Sequence, residues 1–375
     1  MAALVDQAMA DGALGVASAL IYPPGSFART DELIALAKAA AVHGGLYISH
    51  IRSEGDGIVP AVEEFVRIVR EAGVRGEIYH LKAAGVENWP KMDEVIGIVE
   101  NARAEGLEIT ADAYPYAAGM TGLIAALPPW LQDGGVEAAV QRLKDPAVRA
   151  RVVREMNGPA AGWENLYRQC GSPDRILLVS FHDERLKPLT GKTLAQAAAI
   201  RGTTPEEAAM DLIVEDKGRI SAIYFNQSED NLRKVLPLPW LSFCTDAYVS
   251  AAEGIFLKSG AHPRQYGAFP RVLAKYVRDD RLMTLQETIR KMTSLPAETL
   301  RIEGRGRLKE GYFADVVVFD PDTVADRATY ENPHQYPAGV RHVLVNGVPV
   351  IQDGAHTGAR PGRVVRGPGA ARNGS

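Results

Sequence analysis

The sequence predicts an α/β fold on a parallel sheet, and three observations carry that prediction. Short apolar runs begin near Leu14, Leu46, Glu77 and Leu107, a repeat of about thirty residues that matches consecutive βα units. A helical stretch closed by glycine fills each interval. The runs also finish beside polar residues, which stand at His50, His80 and Asp112 and again at Asp246 after a later run. An α/β barrel and a doubly wound sheet both fit this rhythm.

The elements follow in order. MAALVDQAMADGALG has apolar residues at helical spacing and no basic start before an apolar core, so it reads as a helix ending near Gly12 and not as a signal peptide. The first strand is Leu14 to Tyr22, ended by Pro23-Pro24-Gly25. Thr30 opens TDELIALAKAAAVHGG, where Asp31 and Glu32 favour the first turn. Leu46 to Ser49 is the second strand, followed by the helix VPAVEEFVRIVREAG. Glu77 to Tyr79 is the third, followed by KMDEVIGIVENARAEG, and Leu107 to Ala111 is the fourth.

The stretch from about Ala117 to Leu236 is too long for one connection. It carries the helix TPEEAAMDLIVED and the strands RILLVS and RISAIYF, and is read as an insertion. Leu241 to Thr245 returns to a buried strand. From about Gly304 the pattern changes to β-branched runs with an Asn-Gly turn, the signature of antiparallel strands. The expected organisation is an α/β domain over residues 1–303 with the insertion at about 117–236, a β portion over 304–366, and a mobile tail over 367–375.

Composition narrows the function classes. The 375 residues carry a formal net charge of −4 with both signs mixed along the chain, which gives no electrostatic footprint for nucleic acid or a membrane surface. No apolar run is long enough to span a bilayer. The two cysteines, Cys170 and Cys244, are too few for a disulfide framework, so a reducing, cytoplasmic setting is expected.

Function is sought at the strand ends, because catalytic groups of α/β barrels come from the C-terminal ends of several strands. Two imidazoles at matching positions of successive units, His50 and His80, with a carboxylate at the later Asp246, are a set that can hold a borderline cation such as zinc. The bland alternative is a pair of satisfied core histidines. Against it stand the charges beside them, in His50-Ile51-Arg52-Ser53-Glu54 and His80-Leu81-Lys82. Other candidates read as structural: Asp112 braces the loop holding Tyr114, Cys244 packs in the core, and Trp130 packs or forms a lid contact. The remaining histidines, His262 among them, are surface or satisfied groups. There is no phosphate loop and no nucleophile elbow.

The stretches GALGVASALIYPPGSFA, GGLYISHIRSEGDG, HLKAAG, DAYPYAAGMTGL, HPRQYGAFPRVL and GRLKEGYFADVVVFDP are long, ordered and spread from Gly12 to about Arg366. In these the chain resembles the D-aminoacylases, the N-acyl-D-amino-acid deacylase family of the amidohydrolase superfamily. The resemblance implies a (β/α)8 TIM barrel with a small β-sandwich, and zinc-dependent hydrolysis of the linear amide of N-acyl-D-amino acids. It implies metal ligation by His50 and His80 at the fifth and sixth barrel strands. It makes Asp246, after the eighth, the general acid/base and a ligand of a weaker second metal, and it sets Lys82, Tyr114 and Arg264 against the substrate carboxylate.

The family barrel begins with a strand ending in His-x-His, followed by a cysteine ligand, and this sequence contains no His-x-His. Its first strand corresponds to about the fourth of the family, so a barrel without its first three or so strands is expected, with reduced or absent activity. A cyclic-amide hydrolase of the dihydroorotase or hydantoinase kind, and a non-catalytic half-protein that needs a partner chain, are the alternatives.

Overall fold

The computed structural model describes residues 1–159 and 162–370. Five parallel strands form its central sheet: β1 (Gly15–Ala19), β2 (Leu46–His50), β3 (Arg75–Ile78), β4 (Ile109–Ala113) and, after the insertion described below, β8 (Leu241–Phe243). They hydrogen-bond in the order β1-β2-β3-β4-β8, so the sheet is an open arc with β1 and β8 at its edges. The register pairs Ala19 with His50, Ser49 with Ile78 and Ala113 with Phe243. In-register parallel pairing therefore collects all the strand ends on one rim, which is how residues far apart in sequence come to share a site.

Helix α1 (Ala2–Asp11) precedes β1, and α2 (Thr30–Val42), α3 (Ile58–Ala72) and α4 (Met92–Ala104) separate β1 to β4. In α3 the buried residues Ile58, Ala61, Val62, Phe65, Val66 and Val69 recur at helical spacing and face the sheet. Gly76 of β3 lets the helix settle close, because a Cβ there would lie 2.4 Å from Val69 and 2.8 Å from Phe65. Truncating Phe65 to alanine in this setting costs about 3–5 kcal/mol.

The insertion has its own three-stranded antiparallel sheet, in the order β5-β7-β6, made of β5 (Gly119–Gly122), β6 (Ile176–Ser180) and β7 (Ser221–Tyr224). A second hydrophobic core, built from residues such as Leu123, Met156, Leu178, Leu194 and Ile213, packs around it. The insertion ends earlier than expected. Leu232 and Val235, on the helix Glu229–Val235, and the adjacent Leu236 belong to the first core together with α2 to α4.

The C-terminal part is one four-stranded antiparallel sheet of β9 (Val316–Phe319), β10 (Val340–Val345), β11 (Val348–Gln352) and β12 (Ala355–His356). Its hairpin turns at Asn346-Gly347, both with positive φ, as the sequence implies. Of the tail expected to be mobile, Gly367 donates a backbone hydrogen bond to Gly12 at 2.8 Å. Residues 371–375 lie outside the described residues. No helix among the described residues is long and apolar enough to cross a membrane.

Candidate metal centre and substrate cavity

His50 ends β2 and His80 lies two residues beyond β3, and the two imidazoles meet edge-on, with Nδ1 of His50 2.9 Å from Nε2 of His80. Both side chains are buried. Glu54 joins them from the loop after β2, its Oε1 lying 3.0 Å from His80 Nδ1 and 3.7 Å from His50 Nε2. Lys82 Nζ donates to Glu54 at 2.5 Å, to His80 Nδ1 at 2.8 Å and to the His80 carbonyl at 3.1 Å, which uses all three ammonium protons.

The electrostatics follow from burial and proximity. Burial pushes the His50 imidazole down to about 3, with the Glu54 carboxylate opposing that shift and His80 and Lys82 adding to it. Glu54 would be raised by burial, but His50, Lys82 and His80 together hold it well below the usual carboxylate range. Burial would lower Lys82, yet Glu54 and the neighbouring Tyr114 and Asp246 raise it above the ordinary lysine value. A neutral imidazole beside an ionised carboxylate is the protonation state that a metal ligand set requires.

The donors of His50, Glu54 and His80 all lie within 4.8 Å of one another, and among the described residues they are the group of histidine, cysteine and carboxylate side chains placed to hold a cation. His50 Nε2 is buried without a hydrogen-bond partner, so it has a lone pair or proton that the protein itself does not satisfy. Nitrogen and oxygen donors in this arrangement suit a borderline divalent ion.

Two backbone positions at this rim are left-handed although neither is glycine: His80 at φ 37° and Asp246 at φ 45°. Such conformations cost about 1–3 kcal/mol and persist where surrounding bonds enforce them. For His80 the enforcing group is Asp112, whose carboxylate accepts from the His80 amide at 2.5 Å, while its carbonyl accepts from Leu81 N at 2.8 Å. The residue expected to brace the Tyr114 loop therefore grips the histidine.

Asp246 borders the same cavity as the two histidines, Glu54 and Lys82, but it stands outside the three-residue cluster. Its carboxylate instead meets Arg264 Nη1 at 2.7 Å. Arg264 is buried, and its guanidinium lies 4.5 Å from the centre of the Tyr114 ring, with Lys82 Nζ 5.6 Å from the same ring. Tyr114 thus packs beside two cations. Its hydroxyl lies 2.7 Å from the Gln227 carboxamide, and an amide turned to accept there also accepts from Gly119 N and donates to Tyr116 O.

The cavity has a volume of about 450 Å³. Strand ends supply its charged side. The segment after β1 and the insertion add Ile21, Tyr22, Met120, Leu166, Tyr224 and Asn226 to its lining. Tyr22 closes one edge by donating to Thr121 of β5 at 3.0 Å. Sequence reasoning named Glu54 only as charge beside His50, and it missed Asn226. His262 is a satisfied core histidine, with Nε2 bonded to Ala118 O and Nδ1 accepting from Arg264 N. Trp130 packs under Arg151 and donates to Glu155.

Residues 106–351 match the amidohydrolase family. The chain is 34% identical to D-aminoacylase of Alcaligenes xylosoxydans over 366 residues, covering 96% of this chain and 63% of that protein. It is also 34% identical to N-acyl-D-glutamate deacylase of the same organism, covering 98% of this chain and 63% of that protein. The crystal structure of N-acyl-D-glutamate deacylase from Bordetella bronchiseptica, complexed with zinc and a phosphonate mimic of the tetrahedral intermediate, superposes with a TM-score of 0.78. At 33% identity, that match covers 97% of this chain and 65% of the other. The chain spans less than two thirds of the length of these relatives.

Proposed function

This chain belongs to the amidohydrolase family, and from that premise we infer that it carries a metal-dependent hydrolase site for the linear amide of N-acyl-D-amino acids, in a cytoplasmic protein that uses zinc. The observation that carries the reading is the contact of two imidazoles and a buried carboxylate at adjacent strand ends, with an unpartnered histidine nitrogen, beside a cavity that also holds Lys82 and Asp246. The relatives at 34% identity, a D-aminoacylase and an N-acyl-D-glutamate deacylase, support a linear amide over a cyclic one.

His50, His80 and Glu54 would hold the cation, which when bound would supply a Lewis acid that makes a water easier to deprotonate near neutral pH. Asp246 is the proton carrier. It takes the proton of the attacking water as the new C–O bond forms, and returns it to the nitrogen as the C–N bond breaks. Arg264 fixes that carboxylate by its 2.7 Å ion pair. Lys82, which borders the cavity, and Arg264, paired with Asp246 at its edge, supply the positive charge that attracts the substrate carboxylate, with Tyr114 beside both.

The test is hydrolysis of N-acetyl-D-methionine, N-acetyl-L-methionine and hydantoin by the zinc-loaded and the chelator-treated chain. Zinc-dependent release of D-methionine alone is expected. Ring opening of hydantoin without deacylation would replace this reading with the cyclic-amide one.

A further inference from the structure

We propose that Glu164 is a positioning residue for the metal centre, and that the ion and the insertion tighten each other through its grip on the Glu54 backbone. The inference rests on Glu54 as a ligand and deepens that reading, because it gives a carboxylate of the insertion a task at the ion.

Residues 51–57, which carry Glu54, lie outside any strand or helix, so the direction of the Glu54 side chain depends on what holds the loop backbone. Glu164 supplies that hold from 110 residues away. Its Oε1 accepts from the backbone N–H groups of Glu54 at 2.8 Å and Gly55 at 3.1 Å, and its Oε2 accepts from Gln169 Nε2. The Glu54 carbonyl in turn accepts from Ala84 N at 2.7 Å, in the segment after β3. Both polar groups of the Glu54 backbone are thus engaged, and its carboxylate meets Lys82 at 2.5 Å and His80 at 3.0 Å.

The insertion closes tightly on this loop. A Cβ on Gly55 would lie 2.2 Å from Gln169 Nε2 and 3.0 Å from Glu164 Oε2, so the approach needs a residue without a side chain. The Gln169 oxygen accepts from Asn226 Nδ2 at 3.2 Å, and the Asn226 backbone carbonyl accepts from Gly85 N at 2.7 Å and Trp89 Nε1 at 3.0 Å. Glu164 precedes the short helix Leu166–Cys170 and Gln169 lies on it; Leu166, Tyr167 and Cys170 of that helix belong to the second core. The grip is therefore anchored in the insertion, while the loop it holds belongs to the central sheet. A loop ordered before the ion arrives loses less freedom on binding, which raises affinity without a new contact to the ion. Linkage makes the effect reciprocal, so an ion that fixes Glu54 also seats Glu164.

Zinc affinity is measured by chelator competition, with circular dichroism to verify folding. Glu164→Ala is expected to bind zinc about 10-fold or more weakly, and Glu164→Gln, which keeps one acceptor oxygen, to lose less. Asp216→Ala is the control, since buried Asp216 makes the same kind of grip elsewhere in the insertion, on His182 N at 2.9 Å and Asp183 N at 2.7 Å. Its zinc affinity should stay within about 2-fold of the wild type. Hydrogen exchange of the wild type needs no variant: saturating zinc should slow exchange over residues 164–170 at least about 5-fold more than at the His182 and Asp183 amides. Unchanged affinity in folded Glu164→Ala, an equal loss in Asp216→Ala, or equal protection of the two segments overturns the inference and leaves the metal centre standing. If the wild type binds no zinc, or Glu54→Ala binds it as tightly as the wild type, Glu54 is not a ligand and the inference falls with that assignment.

Discussion

His50 Nδ1 and His80 Nε2 lie 2.9 Å apart across two neighbouring parallel strands, so one proton joins the two rings. A cation bound through either of these two nitrogens must displace that proton, which makes its affinity dependent on pH.

Replacing either His50 or His80 with alanine should weaken zinc binding by at least about 100-fold, since each removes one of three converging donors. Competition against a zinc chelator measures this. Wild-type affinity retained in both variants would place the ion elsewhere.

Glu54→Ala leaves the buried Lys82 ammonium without its 2.5 Å partner. Removal of one member of a buried pair costs about 3–5 kcal/mol. Adding Lys82→Met to that variant should restore most of the loss, because the orphaned charge is gone. Urea unfolding of both singles and the double closes the cycle, and strict additivity would show that the pair is uncoupled.

Asp112→Ala frees the amide of the left-handed His80. Stability should fall by about 1–3 kcal/mol and zinc affinity by about 10-fold or more, while Asp112→Asn, which keeps an acceptor, should lose less of each. Chelator competition on the folded variants reports the second effect, and identical affinity in all three proteins would confine Asp112 to a structural role.

Lys291 is fully buried, and its amine donates to the carbonyls of Leu236 and Leu238. Burial lowers it to about 7 from an ordinary value of 10.5, with Glu287 opposing the shift and Arg290 adding to it. A neutral amine has two N–H groups for those two carbonyls. Between pH 7 and 10.5 the unfolded chain binds the proton and the folded chain does not, so this group makes stability rise with pH across that window and contributes no slope below it. Urea denaturation from pH 6 to 9.5 should show the rise in the wild type and a flatter profile in Lys291→Met; parallel profiles would exclude it.

The parallel sheet and its rim were legible because both are local. Each βα unit carries its own apolar run and glycine stop, and His50, His80 and Asp246 lie within three residues of a strand end. What sequence could not show was set by contacts at long range. Glu54 reaches the histidines because its loop is held by Glu164, 110 residues away. The Asn226 amide joins the same network through Gln169, 57 residues away. Asp112 was assigned to the wrong neighbour for a related reason, since a side chain on β4 can serve the next strand as readily as its own loop. The helix Glu229–Val235 was placed in the insertion by chain order, but its apolar face belongs to the first core.

The cavity is rooted in two separate hydrophobic cores. The β2 and β3 ends rest on the first through Ile51, Ile78 and Leu81, whereas Leu166 and Tyr224 belong to the second. Neighbouring regions of a protein can melt at different free energies. Warming that loosens the second core first would slacken the Glu164 grip and the lining from Leu166 and Tyr224 while the imidazoles kept their places. The cavity would then lose its shape at a lower temperature than the one at which the imidazoles part.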